Sequence, residues 1–252
     1  MQNMADWYTL GANRCYANEL KGESMTELEA IVARHSVRQY EDRPLAEDVV
    51  ATLQAAVDEA NEASGLHIQL VTNEPGAFGK GLAHYGKFRG VSNYFAICGP
   101  KGAEAEELAG YYGEKLVLLA QTLGLNTCWV ALTFSKRAAR FELAAGERLI
   151  IMIALGYGAT QGVAHRSVDA RKVARADGEV PEWFANGVAA ALLAPTAMNQ
   201  QRFRFTLVRP GVEGEPPRVQ ATAPRGVQTK VDLGIVRYHF EVGAGKANFV
   251  WA

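Results

Sequence analysis

The chain has 252 residues, 48% of them apolar and 21% charged, with a formal net charge of −1 at pH 7. That length can bury a sizeable core, as one large domain or two closely packed halves. The near-zero charge removes bulk attraction as a reason to bind nucleic acid or an anionic membrane surface, and no run approaches the roughly 20 apolar residues of a membrane span.

Residues 1–24, "MQNMADWYTLGANRCYANELKGES", lack a basic segment followed by an apolar one, so no secretory signal is read there. They form an N-terminal extension of unassigned role, and a cytoplasmic location is expected. From Met25 the text changes character. Thr26 and Glu29 stand at capping-box spacing before a helix that gives out near Ala33. A second helix, "RPLAEDVVATLQAAVDEANEA", places Leu45, Val49, Val50, Leu53, Ala56, Val57 and Ala60 on one face, and Gly65 ends it. The strand "HIQLVTN", a glycine-rich loop over 74–90 and the strand "NYFAICG" follow. "AEELAGYYGEKLVLLAQTLGL" reads as a largely buried helix. It leads to the strand "NTCWVAL", a short helix near "SKRAARFEL" and the very apolar strand "ERLIIMIALGYG".

An Arg-rich polar connection over 159–179 precedes a second series. "PEWFANGVAAALLAP" is a helix, "RFRFTLVRP" and "PRVQATA" are strands, "VDLGIVRYHFEVG" is a helix and "KANFVWA" is the tail. Lined up on Val71 and Val208, the two series share the order helix–turn–strand–loop–strand–helix, with "GEKLVLLAQTLG" opposite "DLGIVRYHFEVG". Each series alone leaves an apolar helix face uncovered. The expectation is therefore an α+β chain with a mixed or antiparallel sheet flanked by helices. It is internally duplicated as a single-chain pseudo-dimer, with a first half over 25–160 and a shorter second half over 161–252.

Little in the sequence suggests other chemistry. Cys15, Cys98 and Cys128 are an odd number without metal-ligand spacing, and the latter two sit in strand-like runs where cysteine acts as a small hydrophobe. His35, His67, His84, His165 and His239 form no ligand spacing, so no metal site is expected. No Gly-x-Ser-x-Gly elbow occurs, and "GKG" at Gly79–Gly81 lacks the strand–turn–helix setting of a dinucleotide fingerprint.

The most informative motif is "ARHSVRQY". Arg34, Ser36 and Arg38 fall at i, i+2 and i+4 where the first helix ends, and in an extended segment they share a side. Two guanidinium groups flanking a hydroxyl suit a phosphate monoester. A solvated basic helix end complementing its own dipole is the alternative.

"RHSVRQY" followed by a Pro-Leu helix, "LAQTLGLNTCWV", "IMIALGYG" and "APTAMNQQRFRFTLV" together resemble the nitroreductase family of FMN-dependent flavoproteins. The endings "PEWFANG", "DLGIVRYHFE" and "GAGKANFVWA" are most similar to its TM nitroreductase branch. The likeness runs over nearly all of Met25–Ala252. It implies that Arg34, Ser36 and Arg38 hold the FMN phosphate and pyrimidine edge. Lys87 would lie near the pyrimidine carbonyls, Arg166 would close over the phosphate, and Ala131 and Leu132 would stand near flavin N5. In typical members, homodimers carry two FMN sites, and each site takes a Pro-Ser-x-x-Asn turn from the partner. Here the back half keeps that turn as Pro195, Thr196, Ala197, Met198 and Asn199, whereas the front half has "EANEASG" in its place. One FMN per chain is implied. Gln201 and Phe203 would support the turn and core, with Arg202 and Phe203 replacing a usual Pro-Trp.

The implied function is an oxidoreductase passing a hydride from NADH or NADPH through FMN N5 to a small nitroaromatic- or quinone-like acceptor. No catalytic side chain is called for, because the flavin carries the chemistry. The alternative is a flavin- or ligand-binding protein of the same fold without turnover. Neither reading needs a nucleic acid or membrane partner, and a monomer acting as a pseudo-dimer suffices.

Overall fold

Thr26 opens the first helix as its spacing predicts. Its hydroxyl accepts from the Glu29 amide at 3.3 Å, and the Glu29 carboxylate accepts from the Thr26 amide at 2.8 Å. Two donors that a helix start leaves open are thereby satisfied. The computed structural model describes residues 25–79, 86–208 and 215–252. The readings for the extension 1–24, for Cys15 and His84, and for the middle of the glycine-rich loop lie outside the described residues.

In chain order the first elements are α1 (Glu27–Ala33), α2 (Glu47–Ser64), β1 (His67–Val71), α3 (Gly76–Gly79) and β2 (Asn93–Pro100). Next come α4 (Ala103–Thr122), β3 (Asn126–Val130) and β4 (Glu147–Gly156). The remainder is α5 (Ala170–Val173), β5 (Ala174–Ala176), α6 (Glu182–Ala191), β6 (Arg204–Val208), β7 (Arg218–Thr222), α7 (Thr229–Ala244) and β8 (Val250–Trp251). None of the described helices is long and apolar enough to cross a membrane. On α2 the expected stripe faces inward: Leu53, Val57 and Ala60 are buried, and Leu45, Val49 and Ala56 flank them against the core.

Two four-stranded sheets result. The first, ordered β1-β2-β4-β3, is antiparallel throughout, with His67 opposite Cys98 and a bulge at Ile97/Cys98 where β2 meets β4. The second, β5-β6-β7-β8, is mixed: β5 runs parallel to β6, β6 antiparallel to β7, and β7 parallel to β8. Alternation assigns the faces of the first sheet. Ile68, Phe95, Ile97, Ile153 and Leu155 enter a core shared with both long helices. Tyr94, Ala96, Cys128, Val130, Met152 and Ala154 enter a second cluster closed by Val37, Tyr40, Phe78 and Phe88.

The shared core does not stop between the series. Side chains of α2 and α4 join Phe184, Phe205, Val231, Val236 and Phe240 in one continuous cluster. At its centre α4 lies along α7. A Cβ on Gly110 would lie 2.0 Å from the Val231 carbonyl oxygen and 3.0 Å from the Ile235 nitrogen. A Cβ on Gly234 would lie 1.9 Å from the Glu107 carbonyl oxygen and 2.6 Å from the Tyr111 nitrogen. The contact is reciprocal: each glycine touches the carbonyl three residues before the other and the amide one residue after it. This pairs Gly110 with Gly234. Backbone contact across the crossing, which side-chain pattern does not report, sets the register.

Two local expectations need correction. No helix forms over 135–143; that segment is turns and extended chain. Ala138 N and Ala139 N close a single turn onto Ser135 O, while Ser135 N donates to Ala77 O at 2.8 Å and Arg140 N to the Tyr94 hydroxyl at 2.8 Å. The connection over 159–179 also contains α5 and β5, each too short to show a period.

Candidate functional site

Arg34 caps α1 in extended conformation, and residues 36–40 run as a strap beside the start of β3. Val37 N donates to Thr127 O at 3.0 Å. Arg89 N donates to Arg38 O and Tyr40 N to Arg89 O, both at 2.9 Å, which ties the strap to the turn carrying Lys87. Val37 and Tyr40 face the core, while Ser36 and Arg38 are exposed.

The Arg38 and Arg34 charges and the Ser36 side chain all act to lower the pKa of the Cys128 thiol. Burial nevertheless pushes the thiol pKa up, so Cys128 is a neutral thiol. Arg34 differs from its two companions in being 3% exposed. Its Nε is 3.9 Å from Glu114 Oε1, and both Nε and Nη1 lack a hydrogen-bond partner among the described residues. Burial lowers its pKa, opposed by Glu114. A guanidinium nonetheless keeps its charge.

Lys87, in the left-handed region at φ 57, stands exposed on the rim with Gln39, Phe88 and Arg89, around a cavity of about 330 Å3. Ala131 and Leu132 leave the end of β3. Leu132 is 73% exposed, so it walls open space instead of filling a core. A larger cavity of about 510 Å3 lies elsewhere, between α4 and α7, and its polar groups answer one another: Arg237 with Glu107, and the Tyr111 hydroxyl with Glu241.

The turn expected at 195–199 is built by hydrogen bonds. Ala197 N donates to Asp232 Oδ1 at 2.9 Å and Gln200 Nε2 to Asp232 Oδ2 at 2.6 Å. The Thr196 hydroxyl accepts from Gln201 N at 3.0 Å. Pro195 is buried, and Met198 and Asn199 both adopt φ 53. Asparagine tolerates that conformation; methionine there is uncommon, and outliers of this kind gather at functional sites. Met198 is 87% exposed. Burial pushes the Asp232 carboxyl up to about 6 against the two donors it holds.

Segment 162–166 joins the two regions. Gly162, at φ 71, lies so close to the strap that a Cβ there would be 2.8 Å from His35 Cβ and 3.1 Å from Ser36 O. His165 is near enough to His35 to lower its pKa further, after burial and Arg34. Four residues beyond Gly162, the Arg166 carbonyl accepts from Asn199 Nδ2 and Gln201 Nε2, each at 2.9 Å, while the Arg166 side chain is exposed. Gln201 also accepts from Val168 N, and Phe203 is buried. The structure thus connects Ser36 to Asn199 through one short span of chain.

Sequence reasoning missed Glu114, His239, Asp232 and Gln200. The only signal for the acids was a carboxylate on an otherwise apolar helix stripe. Glu114 is fully buried; it accepts from Trp129 Nε1 at 2.9 Å, and its Oε1 lies 2.8 Å from His239 Nε2.

An α+β architecture with two sheets around crossed helices, and a basic strap bridged to a polar turn, defines the class as the nitroreductase-like fold. The chain belongs to the family described as "Putative TM nitroreductase", whose model matches residues 27–244. A Thermotoga maritima structure described as a "putative nitroreductase" is 20% identical, with a TM-score of 0.61 over 92% of this chain and 89% of that one. A Desulfovibrio desulfuricans nitroreductase structure in complex with FMN, also described as putative, is 21% identical. It covers 58% of this chain and 94% of its own, with a TM-score of 0.47. No curated protein matches the chain.

Proposed function

We propose that the chain is an FMN-dependent oxidoreductase that takes a hydride from NADH or NADPH and delivers it to a small nitroaromatic- or quinone-like acceptor. The observation that carries this reading is the Arg34 guanidinium, buried with two nitrogens unpartnered among the described residues, beside exposed Ser36 and Arg38. An orphaned buried cation with a hydroxyl and a second guanidinium at hand fits a phosphate.

Arg34, Ser36 and Arg38 would hold the FMN phosphate and pyrimidine edge, with Arg166 closing over the phosphate. Lys87 on the rim would favour negative charge at the pyrimidine edge. Ala131 and Leu132 would border one side of the ring, and the turn from Pro195 to Asn199 the other. Flavin supplies hydride chemistry when bound, so the chain's part is to bind, orient and leave an open approach. The same reading makes the halves 25–160 and 161–252 a pseudo-dimer with one site, supported by the reciprocal Gly110–Gly234 contact.

Purified protein should be yellow, or become so with FMN, and bleach under NADPH or NADH. A colourless protein that FMN does not reconstitute sinks the reading. Leu132 favours a second one: a branched side chain at 73% exposure would crowd the approach to N5. A flavin-binding protein without turnover would show FMN fluorescence quenching but no NAD(P)H oxidation.

A further inference from the structure

Glu114, His239 and Arg34 meet in the interior, with side-chain exposures of 0%, 0% and 2%. His239 Nδ1 lies 3.0 Å from Ala190 O, which only accepts, so Nδ1 carries a proton. His239 Nε2 lies 2.8 Å from Glu114 Oε1, and Glu114 Oε2 already accepts from Trp129. One further proton lies between Nε2 and Oε1. Whether it rests on the ring or on the carboxyl, the His239–Glu114 pair is neutral. The trio therefore carries the whole charge of Arg34, +1, whose Nε and Nη1 have no partner among the described residues.

Without the imidazole, the Glu114 carboxylate would cancel that charge from 3.9 Å away. Burying a net charge works against folding, so an arrangement that preserves one marks a group reserved for a ligand. We propose that His239, from the back half, is a positioning residue that neutralises Glu114 and so keeps Arg34 available to a phosphate-type anion in the strap site. This rests on the flavin reading for the anion's identity, though not for its charge.

The test compares FMN with riboflavin, which lacks the phosphate, by fluorescence titration. His239→Gln keeps a donor toward Glu114 without the ring's proton. It should weaken FMN roughly tenfold or more through one added negative charge near the phosphate, and leave riboflavin unchanged. Glu114→Gln in that background removes the carboxylate and should restore FMN affinity. Glu114→Gln alone should bind FMN as the wild type does. Thermal melts establish that each variant is folded. Unchanged FMN affinity in folded His239→Gln overturns the proposal. So does an equal loss for both flavins, or a folded double variant that is not rescued. Should His239→Gln fail to fold, a large loss of FMN affinity in Glu114→Gln alone is the overturning result. If the wild type binds neither flavin, the flavin reading fails. Protection of Arg34-dependent stability by inorganic phosphate, lost in His239→Gln, then decides the charge argument by itself.

Discussion

Met198 holds a left-handed backbone with its side chain in open space, a conformation that costs on the order of 1 kcal/mol and yields no packing in return. Met198→Gly should therefore raise stability by about 1 kcal/mol in a denaturant melt, while loosening the turn and weakening FMN binding. Asp232, which anchors that turn, titrates in a predictable sense. Its carboxyl has a folded value of about 6 against 3.8 unfolded, because burial disfavours the charged form. Its contribution to stability is full below about 3.8, declines as pH rises through about 6 and is flat above, on the order of 3 kcal/mol in all. Asp232→Asn should flatten that slope between pH 4 and 6; a melt series that keeps the slope assigns it to another group. At this scale the sequence marked Ser36, Arg38 and Asn199 as candidates because spacing and turn chemistry are local. It hid Asp232 and Glu114 because their roles come from partners far along the chain, such as Ala197 and His239.

Among the elements, the long helices were legible from period alone. The segment over 135–143 was not, since its helix-compatible residues give their amides to Ala77 and Tyr94 instead. α1 depends on its start: Thr26→Ala removes the hydroxyl that accepts from Glu29 N, and should cost about 1 kcal/mol in a thermal melt. The α4–α7 crossing is less forgiving. A methyl at Gly110 or Gly234 meets backbone oxygen at 2.0 or 1.9 Å, which no rotamer relieves. Gly110→Ala and Gly234→Ala should each cost on the order of 3 kcal/mol, and by similar amounts, because the contact is reciprocal. A nearly neutral effect of either in urea unfolding refutes that packing.

For the whole molecule, the repeated order of elements was visible, but the two separate sheets were not. Side-chain pattern reports which face is buried without naming the partner. One core runs through both halves, with Phe184, Phe205 and Phe240 in the same cluster as Leu53 and Phe95. Fragments 25–160 and 161–252 expressed separately should then lack cooperative melting, and should regain it, with flavin binding, when mixed. Independent two-state melting of either fragment contradicts a shared core.

Because Gly110 and Gly234 belong to a single polypeptide, a change at one is not copied across the axis. In an assembly of identical subunits every substitution appears twice, so a loss in one cleft is a loss in both. On the pseudo-dimer reading proposed above, a single polypeptide lifts that constraint: one flank would be free to drift while the other stays under selection, and the chain would keep its work with half of the symmetry gone.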